Sequence, residues 1–423
     1  MIESSPMRRL IALAASGAAF LLLAAGGVTA QAPAAAAVRL GIPGRLNSGA
    51  SVAADGARVV VTWAATSDTG SDVYAAFSDD GGASFGAPAR VNDVAGDARM
   101  SGEQPPRVAL GQGIKVAWLS RQGSSSVIRL ATAAPGGHTF GPAATIHAGG
   151  LKGARGWQSL AVDREGAAHV AWLDGRGDAS GPTARPATAG APAGKGMRQD
   201  VFQAVVLADG SRRESRLATD VCFCCKTAVA TGADGSVYVA WRHIYPPNIR
   251  DIAIARSTDG GKTFGPPARV SEDGWAIDGC PDDGPALAVD ARGTVHIVWP
   301  TLVSAAAGKG IFYSWSPDGR TFAPRVRLDE GAGGAAHPQL AVDGDRVVAA
   351  WEQTTGNGPR AFLRAIAGVP RGASGAPALT PVSVLGDDGS SYPALAAAGD
   401  AVVAAWTEET AGGSTIRVRR LGR

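Results

Sequence analysis

The chain has 423 residues, of which 45% are hydrophobic, 58 are glycine and 26 are proline. Its 40 basic and 37 acidic side chains are scattered along the chain and leave a formal net charge of +3. This balance argues against nucleic acid as a partner and against electrostatic binding to an anionic membrane. Because turn formers are abundant and helical periodicity is missing after residue 30, we expect an all-β chain.

The first 30 residues have the pattern of a secretory signal peptide. Arg8 and Arg9 precede a short apolar run that ends in the small residues Val-Thr-Ala. The alternative, a membrane anchor, calls for a longer apolar run. We therefore expect a signal peptide over residues 1–30, a flexible lead-in over residues 31–37, and no membrane span after cleavage. The mature protein is predicted to be secreted or periplasmic.

A sequence repeat organises the rest of the chain. Residues 285–299 (PALAVDARGTVHIVW) have the pattern of a strand, a turn and a second strand that ends on tryptophan. Copies of this pattern end at Trp63, Trp118, Trp172, Trp241, Trp299, Trp351 and Trp406. Self-similarity at such a period predicts a β-propeller of four-stranded blades, one blade for each tryptophan. We expect this propeller to be a single domain over residues 38–423.

The seventh blade lacks its outermost strand in this scheme. Residues 415–421 supply its third strand, and the chain ends there. Residues 45–47 (Arg-Leu-Asn) precede a first strand in the same way as residues 90–92 (Arg-Val-Asn) do. We therefore predict that the N-terminal strand at residues 45–47 completes blade 7, which removes an exposed sheet edge. Residues 175–196, rich in Gly, Ala and Pro, are predicted to form a loop in blade 3.

A second element recurs between the third and fourth strands of a blade. Good copies begin at Ser78 (SDDGGASF), Ser257 (STDGGKTF) and Ser316 (SPDGRTF), and a decayed copy begins at Ala133 (AAPGGHTF). The pattern predicts a turn in which the aspartate accepts hydrogen bonds from backbone amides and the glycines adopt positive φ. The final aromatic side chain is expected to pack between neighbouring sheets. A structural role is assigned to the three aspartates, Asp80, Asp259 and Asp318.

This element resembles the Asp-box, or bacterial neuraminidase (BNR) repeat, and the resemblance covers nearly all of the chain after the signal peptide. It implies a sialidase-like β-propeller. Sialidases usually have six blades, whereas the tryptophan repeats here favour seven, with six blades and an extra hairpin as the alternative. The resemblance does not by itself imply sialidase activity, because Asp-boxes also occur in non-enzymatic propellers.

The resemblance also implies what a sialidase site would contain. Sialidases use three arginines for the substrate carboxylate, a tyrosine nucleophile paired with a glutamate, and an aspartate acid/base. Here residues 41–43 (Gly-Ile-Pro) have glycine in place of the arginine of the family's Arg-Ile-Pro motif, and no three-arginine pattern is recognisable. Tyr392, in SSYPAL, is similar to the family's tyrosine in context; the alternative is a rim residue before a proline. The candidate catalytic residues are Tyr392, Arg242, Glu352 and Asp283.

All four cysteines fall where blades 4 and 5 begin. Three lie in DVCFCCKTAVA and one in DGCPDDGPALAVD; they are Cys222, Cys224, Cys225 and Cys280. One interpretation is a structural disulfide from Cys280 to Cys222 or Cys224. A second is a copper or zinc site with thiolate ligands and His243, which belongs to the polar loop after Trp241. A third is a redox-active thiol pair.

Three functions follow from these features. The first is a glycoside hydrolase of exo-sialidase type, acting on carbohydrate. The second is a non-enzymatic propeller that binds a glycan or a protein partner on the blade 4/5 face. The third is metal binding or thiol redox chemistry at the cysteines. The functional face is predicted to be the end that carries the cysteines and Tyr392, with His337 as a further candidate. No Gly-rich phosphate loop or other cofactor fingerprint is present, and we expect a monomer.

Overall fold

The structure is a computed structural model that describes Met1 and residues 37–422, except residues 124, 152, 177–198, 278 and 332–333. The predicted signal peptide therefore lies, apart from Met1, outside the described residues, as does most of the predicted loop in blade 3. The described residues form strands and turns without an α-helix. No helix that is long and apolar enough to cross a membrane occurs among them.

The strands form seven antiparallel sheets. Blade 1 consists of β2 (Leu46–Asp55), β3 (Arg58–Ser67), β4 (Gly70–Ser78) and β5 (Ala89–Arg90). Blade 2 consists of β6 (Arg107–Gly111), β7 (Gly113–Gln122), β8 (Ser125–Ala133) and β9 (Ala144–Thr145). Blade 3 consists of β10 (Arg155–Val162), β11 (Ala168–Asp174), β12 (Gln199–Val206) and β13 (Arg212–Val221). Blade 4 consists of β14 (Ala228–Thr231), β15 (Val237–Arg242), β16 (Ile252–Ser257) and β17 (Ala268–Arg269).

The remaining blades follow the same order. Blade 5 consists of β18 (Ala286–Val289), β19 (Val295–Ser304), β20 (Gly308–Ser316) and β21 (Val326–Arg327). Blade 6 consists of β22 (Ala335–Asp343), β23 (Arg346–Thr355), β24 (Gly358–Ala367) and β25 (Ala378–Leu379), with a fifth strand, β26 (Ser383–Asp388), that also pairs with β24. Blade 7 consists of β27 (Ser390–Ala398), β28 (Ala401–Thr410), β29 (Gly413–Leu421) and β1 (Val38–Leu40). The extra strand β26 and the ten-residue outer strand β13 have no counterpart in the sequence repeat.

The first strand of each blade packs against the first strands of the two neighbouring blades. Strand β2 contacts β6 and β27, and the series continues through β10, β14, β18 and β22 back to β27. The sheets therefore form a closed ring around one axis. This arrangement confirms the predicted seven-bladed propeller and excludes the six-bladed alternative.

The ring is closed by the N-terminal strand, as expected, but not by the predicted residues. Strand β1 pairs antiparallel with β29, with Val38 opposite Val418 and Leu40 opposite Ile416. Residues 45–47 instead lead into β2, the first strand of blade 1, where Asn47 lies opposite Ala65 of β3. The prediction that residues 45–47 complete blade 7 is therefore wrong.

The core lies between neighbouring sheets. Each of the seven repeat tryptophans is at most 1% exposed. Trp63, for example, packs in a cluster that combines Val59 and Val61 of blade 1 with Val403 and Ala405 of blade 7. Small side chains on one sheet thus accept the large indole of the next, and this interlocking stabilises the ring as a whole.

The turns that contain the repeated aspartates have the predicted hydrogen bonds. Asp259 Oδ1 accepts the backbone N–H groups of Lys262 at 3.0 Å and Thr263 at 2.9 Å, in the turn between β16 and β17. Equivalent turns follow β4 and β20, with Asp80 and Asp318 as the acceptors. The aromatic residues at the ends of these turns, Phe85, Phe264 and Phe322, pack against clusters formed by neighbouring blades.

Candidate functional site

The candidate site lies where the first strands of the blades enter the ring. Four of these strands, β2, β10, β22 and β27, carry a β-bulge near their first residues. In each, regular pairing with the next strand resumes two residues after the bulged residue. The bulged residue has positive φ in each case: Gly49, Trp157, His337 and Tyr392. Positive φ is uncommon for residues with a side chain, and bulges of this kind often redirect side chains at functional sites. Here they bring His337 and Tyr392 to the lining of one pocket.

A chain of ion pairs runs through His337. Its Nε2 lies 3.1 Å from Oε1 of Glu103, and its Nδ1 lies 2.8 Å from Oε1 of Glu352. Glu103 comes from the connection between blades 1 and 2, whereas Glu352 follows the repeat tryptophan of blade 6. The side chains are only 14% exposed for His337 and 5% for Glu103. Both ring nitrogens therefore face carboxylates, which is the arrangement that stabilises a doubly protonated imidazolium.

Asp283 binds the backbone of the same histidine. Its Oδ2 accepts the backbone N–H of His337 at 2.9 Å and lies 3.6 Å from Nζ of Lys309. The side chain of Asp283 is fully buried. A buried carboxylate that accepts a hydrogen bond and lies near a cation stays ionised. The negative charge of Asp283 therefore adds to the negative electrostatic potential at His337.

Tyr392 is held by its backbone and by its ring. Its N–H donates to Oε2 of Glu352 at 2.7 Å, and its ring stacks on His337 with 4.3 Å between centroids. The hydroxyl lies against Gly102, where even a Cβ atom would overlap it. This hydroxyl makes no hydrogen bond to the part of the chain that the structure describes. The phenol is thus fixed in place and still open to a ligand.

The pocket around these groups is small and polar. Its enclosed volume is about 10 Å³, and two cations line it, Arg107 and Lys226, together with Glu103, His337 and Tyr392. Lys226 Nζ donates to the carbonyl oxygen of Pro338 at 3.1 Å. The volume lies below the roughly 300–1,000 Å³ of sites for drug-sized ligands. The enclosed space therefore holds about one water molecule, and a larger ligand would contact these side chains from the mouth of the pocket.

Burial and the neighbouring charges shift the pKa values of this cluster. Burial by itself lowers the pKa of His337, but the carboxylates of Asp283, Glu103 and Glu352 outweigh it and raise the pKa to about 9. Burial raises the pKa of Glu103, and burial together with nearby carboxylates raises that of Tyr392. Burial also acts to raise the pKa of Asp283, but His337 and the two lysines lower it overall. At neutral pH the cluster thus combines a cationic histidine with a neutral phenol.

The same cluster has the donor types of a metal site. The ligand atoms of Glu103, Asp283 and His337 lie within 4.8 Å of one another. However, each ring nitrogen of His337 already faces a carboxylate. A metal ion would have to displace one of these ion pairs, so the arrangement fits a protonated histidine better than a metal ligand.

The cysteines form a second cluster beside the pocket. Cys224 and Cys280 form a disulfide, with 6.2 Å between their Cα atoms. Cys222 and Cys225 are buried free thiols whose Sγ atoms lie 3.3 Å apart. The disulfide that joins the starts of blades 4 and 5 agrees with one of the two predicted pairings. His243 lies outside this group: its Nδ1 accepts the indole N–H of Trp241 at 3.3 Å.

Three of the four candidate catalytic residues belong to the pocket cluster, and Arg242 does not. The guanidinium of Arg242 donates to the backbone oxygens of Asp283, Arg250 and Pro300, at 3.2, 2.8 and 2.7 Å. It is 1% exposed. With three of its five N–H groups donated to main-chain carbonyls, Arg242 holds the connections of blades 4 and 5 together, and it is not among the described residues that line the pocket. A catalytic role for the four residues stays a prediction.

Glu103 and Arg107 were not singled out from the sequence. Both flank the pair Pro105-Pro106 at the start of blade 2, within two residues of the position that corresponds to His337 in blade 6 and Tyr392 in blade 7. Aligning the residues just before every first strand would have found them. His337, a secondary candidate from the sequence, lies at the centre of the cluster.

Comparisons with known proteins indicate the fold. No protein-family model and no curated protein matches the chain. Among solved structures, a PL25 ulvan lyase matches at TM-score 0.54 and 10% identity, over 91% of this chain and 96% of the lyase. A protein of unknown function from Dyadobacter fermentans matches at 0.50 and 13%, over 92% and 98%. A Hadza microbial sialidase matches at 0.47 and 14%, over 86% and 77%. At such identities the first two show a shared propeller fold.

Proposed function

We propose that this propeller cleaves a glycosidic bond in an acidic carbohydrate, with the hydroxyl of Tyr392 as the reacting group. The observation that carries this proposal is the unpartnered phenol itself. It is held over the cationic ring of His337, with the carboxyl groups of Glu103 and Glu352 on either side of that ring. A rigid, unpaired polar group that faces a pocket is typical of a reacting group rather than of a structural one.

An acidic substrate fits the cations of the pocket. Arg107 and Lys226 line it, and His337 carries a positive charge at neutral pH. Arg107 reaches the pocket from β6, where its Nε donates to the carbonyl oxygen of Gln158 at 3.2 Å and leaves its other nitrogens free to bind. A guanidinium and an ammonium in the lining of one pocket are suited to a carboxylate. This supports a sialic acid or a uronic acid as the sugar that binds.

The roles of the remaining groups follow from their environments. Glu103 lies in the pocket wall with a pKa that burial raises, which suits a group that exchanges a proton near neutral pH. Glu352 holds both the Tyr392 backbone and the His337 ring, so it is a positioning residue. In a hydrolase of sialidase type, Tyr392 is the nucleophile and Glu103 accepts its proton.

One of the structural matches is a polysaccharide lyase, and lyases cleave acidic polysaccharides by elimination. Since fold does not carry function, the reaction type has to be read from the products. Elimination leaves an unsaturated sugar that absorbs ultraviolet light, whereas hydrolysis does not. The pattern of residues 1–30 supports export, so we propose that the enzyme acts outside the cytoplasm.

The test is turnover of acidic substrates by the purified full chain. A fluorogenic sialoside and a set of polyuronates are incubated with wild-type protein, Tyr392→Phe and the control Tyr74→Phe. Tyr74 stacks on Trp63 within blade 1, remote from the pocket lining. We expect turnover by wild type and Tyr74→Phe and loss with Tyr392→Phe. Binding of these substrates without turnover would favour a glycan-binding propeller, and equal turnover by all three proteins would refute the role of Tyr392.

A further inference from the structure

Three of the four cysteines form a buried cluster beside the pocket, and the fourth is bonded to one of them. Cys222, Cys224 and Cys225 are 1%, 4% and 1% exposed, and their Sγ atoms all lie within 4.8 Å of one another. The fourth, Cys280, lies on the exposed connection to blade 5 and reaches the group through its bond to Cys224. A disulfide alone explains two of these residues. It does not explain why two further thiols are buried against it.

We propose that Cys222, Cys224, Cys225 and Cys280 form a single thiolate site for a soft metal ion, copper(I) or zinc(II), once the Cys224–Cys280 disulfide has been reduced. This inference concerns a second site. It is independent of the proposed carbohydrate chemistry and stands or fails separately from it.

The sulfur separations fit such a site. Zn–S bonds of about 2.3 Å in a tetrahedron place neighbouring sulfurs about 3.8 Å apart. Cys222 Sγ lies 3.8 Å from Cys224 Sγ and 3.3 Å from Cys225 Sγ. Cys280 Sγ is bonded to Cys224 Sγ, so breaking that bond frees one sulfur within the buried group and a second beside it. The three buried sulfurs are therefore nearly in place around one ion, and Cys280, on its exposed connection, has to move toward Cys222 and Cys225 to complete the tetrahedron.

The surroundings favour a soft ion over a hard one. The three buried cysteines pack against Trp157, Phe223 and Ile244. The nearest carboxylate in a metal-ligating position is that of Asp282, beside Cys224 and Cys280. Sulfur donors in an apolar setting select copper(I) and zinc(II) over calcium or magnesium, which need oxygen ligands. Arg242 and Arg250 act electrostatically on Cys222 and offset part of the negative charge of a thiolate cluster.

The spacing of the cysteines along the chain also supports a thiolate metal site. Cys222 and Cys225 form a C-x-x-C pair, the short spacing that supplies two ligands from one turn in zinc sites. Cys280 lies 56 residues after Cys224 in the sequence, in the connection to blade 5. A metal at this point would therefore join blade 4 to blade 5, as the disulfide does in the oxidised protein.

The disulfide form is converted into the metal-bound form in two steps, reduction and metal binding. A dithiol reductant supplies two electrons and two protons, the Cys224–Cys280 bond breaks, and the reductant becomes a disulfide. Metal binding then forms four metal–sulfur bonds and releases the thiol protons to solvent. Reoxidation by a disulfide reverses both steps and releases the ion.

The experiment uses the full chain under anaerobic conditions. The protein is reduced with dithiothreitol, desalted to remove the reductant, and titrated with zinc(II) or copper(I) against a chromophoric chelator. We expect one ion for each chain. Cys222→Ser and Cys225→Ser should weaken binding by more than the roughly 10–100-fold that is typical of losing an outer partner of a metal ligand. His243→Ala is the matched control and should bind as the wild type does.

A second measurement covers the case in which the cysteine variants do not fold. Wild-type protein, reduced and desalted, is alkylated under native conditions with and without the metal and analysed by mass spectrometry. We expect the metal to protect all four cysteines. No bound ion in the reduced folded protein, equal alkylation in both samples, or binding that is unchanged in Cys222→Ser would each overturn the proposal. Binding through Glu103, Asp283 and His337 would appear as unprotected cysteines and overturn it as well.

Discussion

The ring of His337 stacks on the ring of Tyr392, with 4.3 Å between centroids and 28° between planes. The two residues have φ of 54° and 49° and belong to equivalent bulges in neighbouring blades, on β22 and β27. Such conformations cost about 1–3 kcal/mol each and persist where the surroundings enforce them. Here the enforcing contacts are hydrogen bonds from both backbones, to Asp283 and Glu352.

Gly102 should be essential for the position of the phenol. A Cβ atom at this residue would overlap the Tyr392 hydroxyl, so Gly102→Ala should displace the ring and lower kcat about 10²–10⁴-fold, the range typical of a lost proton-transfer group. Gly356→Ala is the control, because a Cβ atom there meets open space. Turnover of the active substrate checks the pair, and the far-ultraviolet spectrum verifies folding. Similar rates for the two variants would contradict the position of the hydroxyl.

The charge on His337 should make stability depend on pH on the alkaline side. Its pKa is raised from 6.5 to about 9 in the folded protein, so the folded state binds the proton more tightly than the unfolded state. The resulting stabilisation is complete below about pH 6.5 and is lost as the pH rises through about 9; its upper limit is about 3 kcal/mol.

The measurement for His337 is urea unfolding of wild type and His337→Gln from pH 6 to pH 10. The difference between their free energies of unfolding should shrink as the pH rises. A difference that stays constant, or that grows with pH, would show that the imidazole is neutral in the folded protein.

Closure of the ring by β1 predicts different effects for two leucines. Leu40, on β1, is 7% exposed, whereas Leu46, at the start of β2, is 55% exposed. Leu40→Ala should lower the free energy of unfolding by about 2–5 kcal/mol, and Leu46→Ala by less than about 0.5 kcal/mol. Thermal and urea denaturation of the two variants checks this. If Leu46→Ala were more destabilising than Leu40→Ala, residues 45–47 rather than β1 would close the ring.

Arg242 should matter for stability rather than for the chemical step. Lysine cannot reach the three main-chain oxygens that the guanidinium binds, so Arg242→Lys should lower the free energy of unfolding by about 2 kcal/mol or more. The rate of the folded fraction should stay within a few-fold of wild type, which active-site titration at low temperature would measure. A large loss of kcat in a stable variant would instead place Arg242 in the reaction.

The amino-acid sequence by itself determined the propeller, its blade number and its turns. These features are local: the strand–turn–strand repeat ends on a tryptophan in every blade, and the repeated aspartates Asp80, Asp259 and Asp318 bind amides within five residues of themselves. Local patterns of this kind are readable because side-chain alternation and turn chemistry depend on neighbours in the chain. Tyr392, Glu352 and Asp283 were also reachable, because each breaks the repeat at one end of the blades.

Only the tertiary structure decided which of these residues meet. Glu103 comes from the connection between blades 1 and 2 and His337 from blade 6, yet the closed ring places Oε1 of Glu103 3.1 Å from Nε2 of His337. The closing strand was assigned to residues 45–47 instead of 38–40 for the same reason. Residues 38–40 and 45–47 are both short segments before a first strand, and only their pairing with β29 or β3 separates them. Such contacts depend on where the ring closes, which no local pattern encodes.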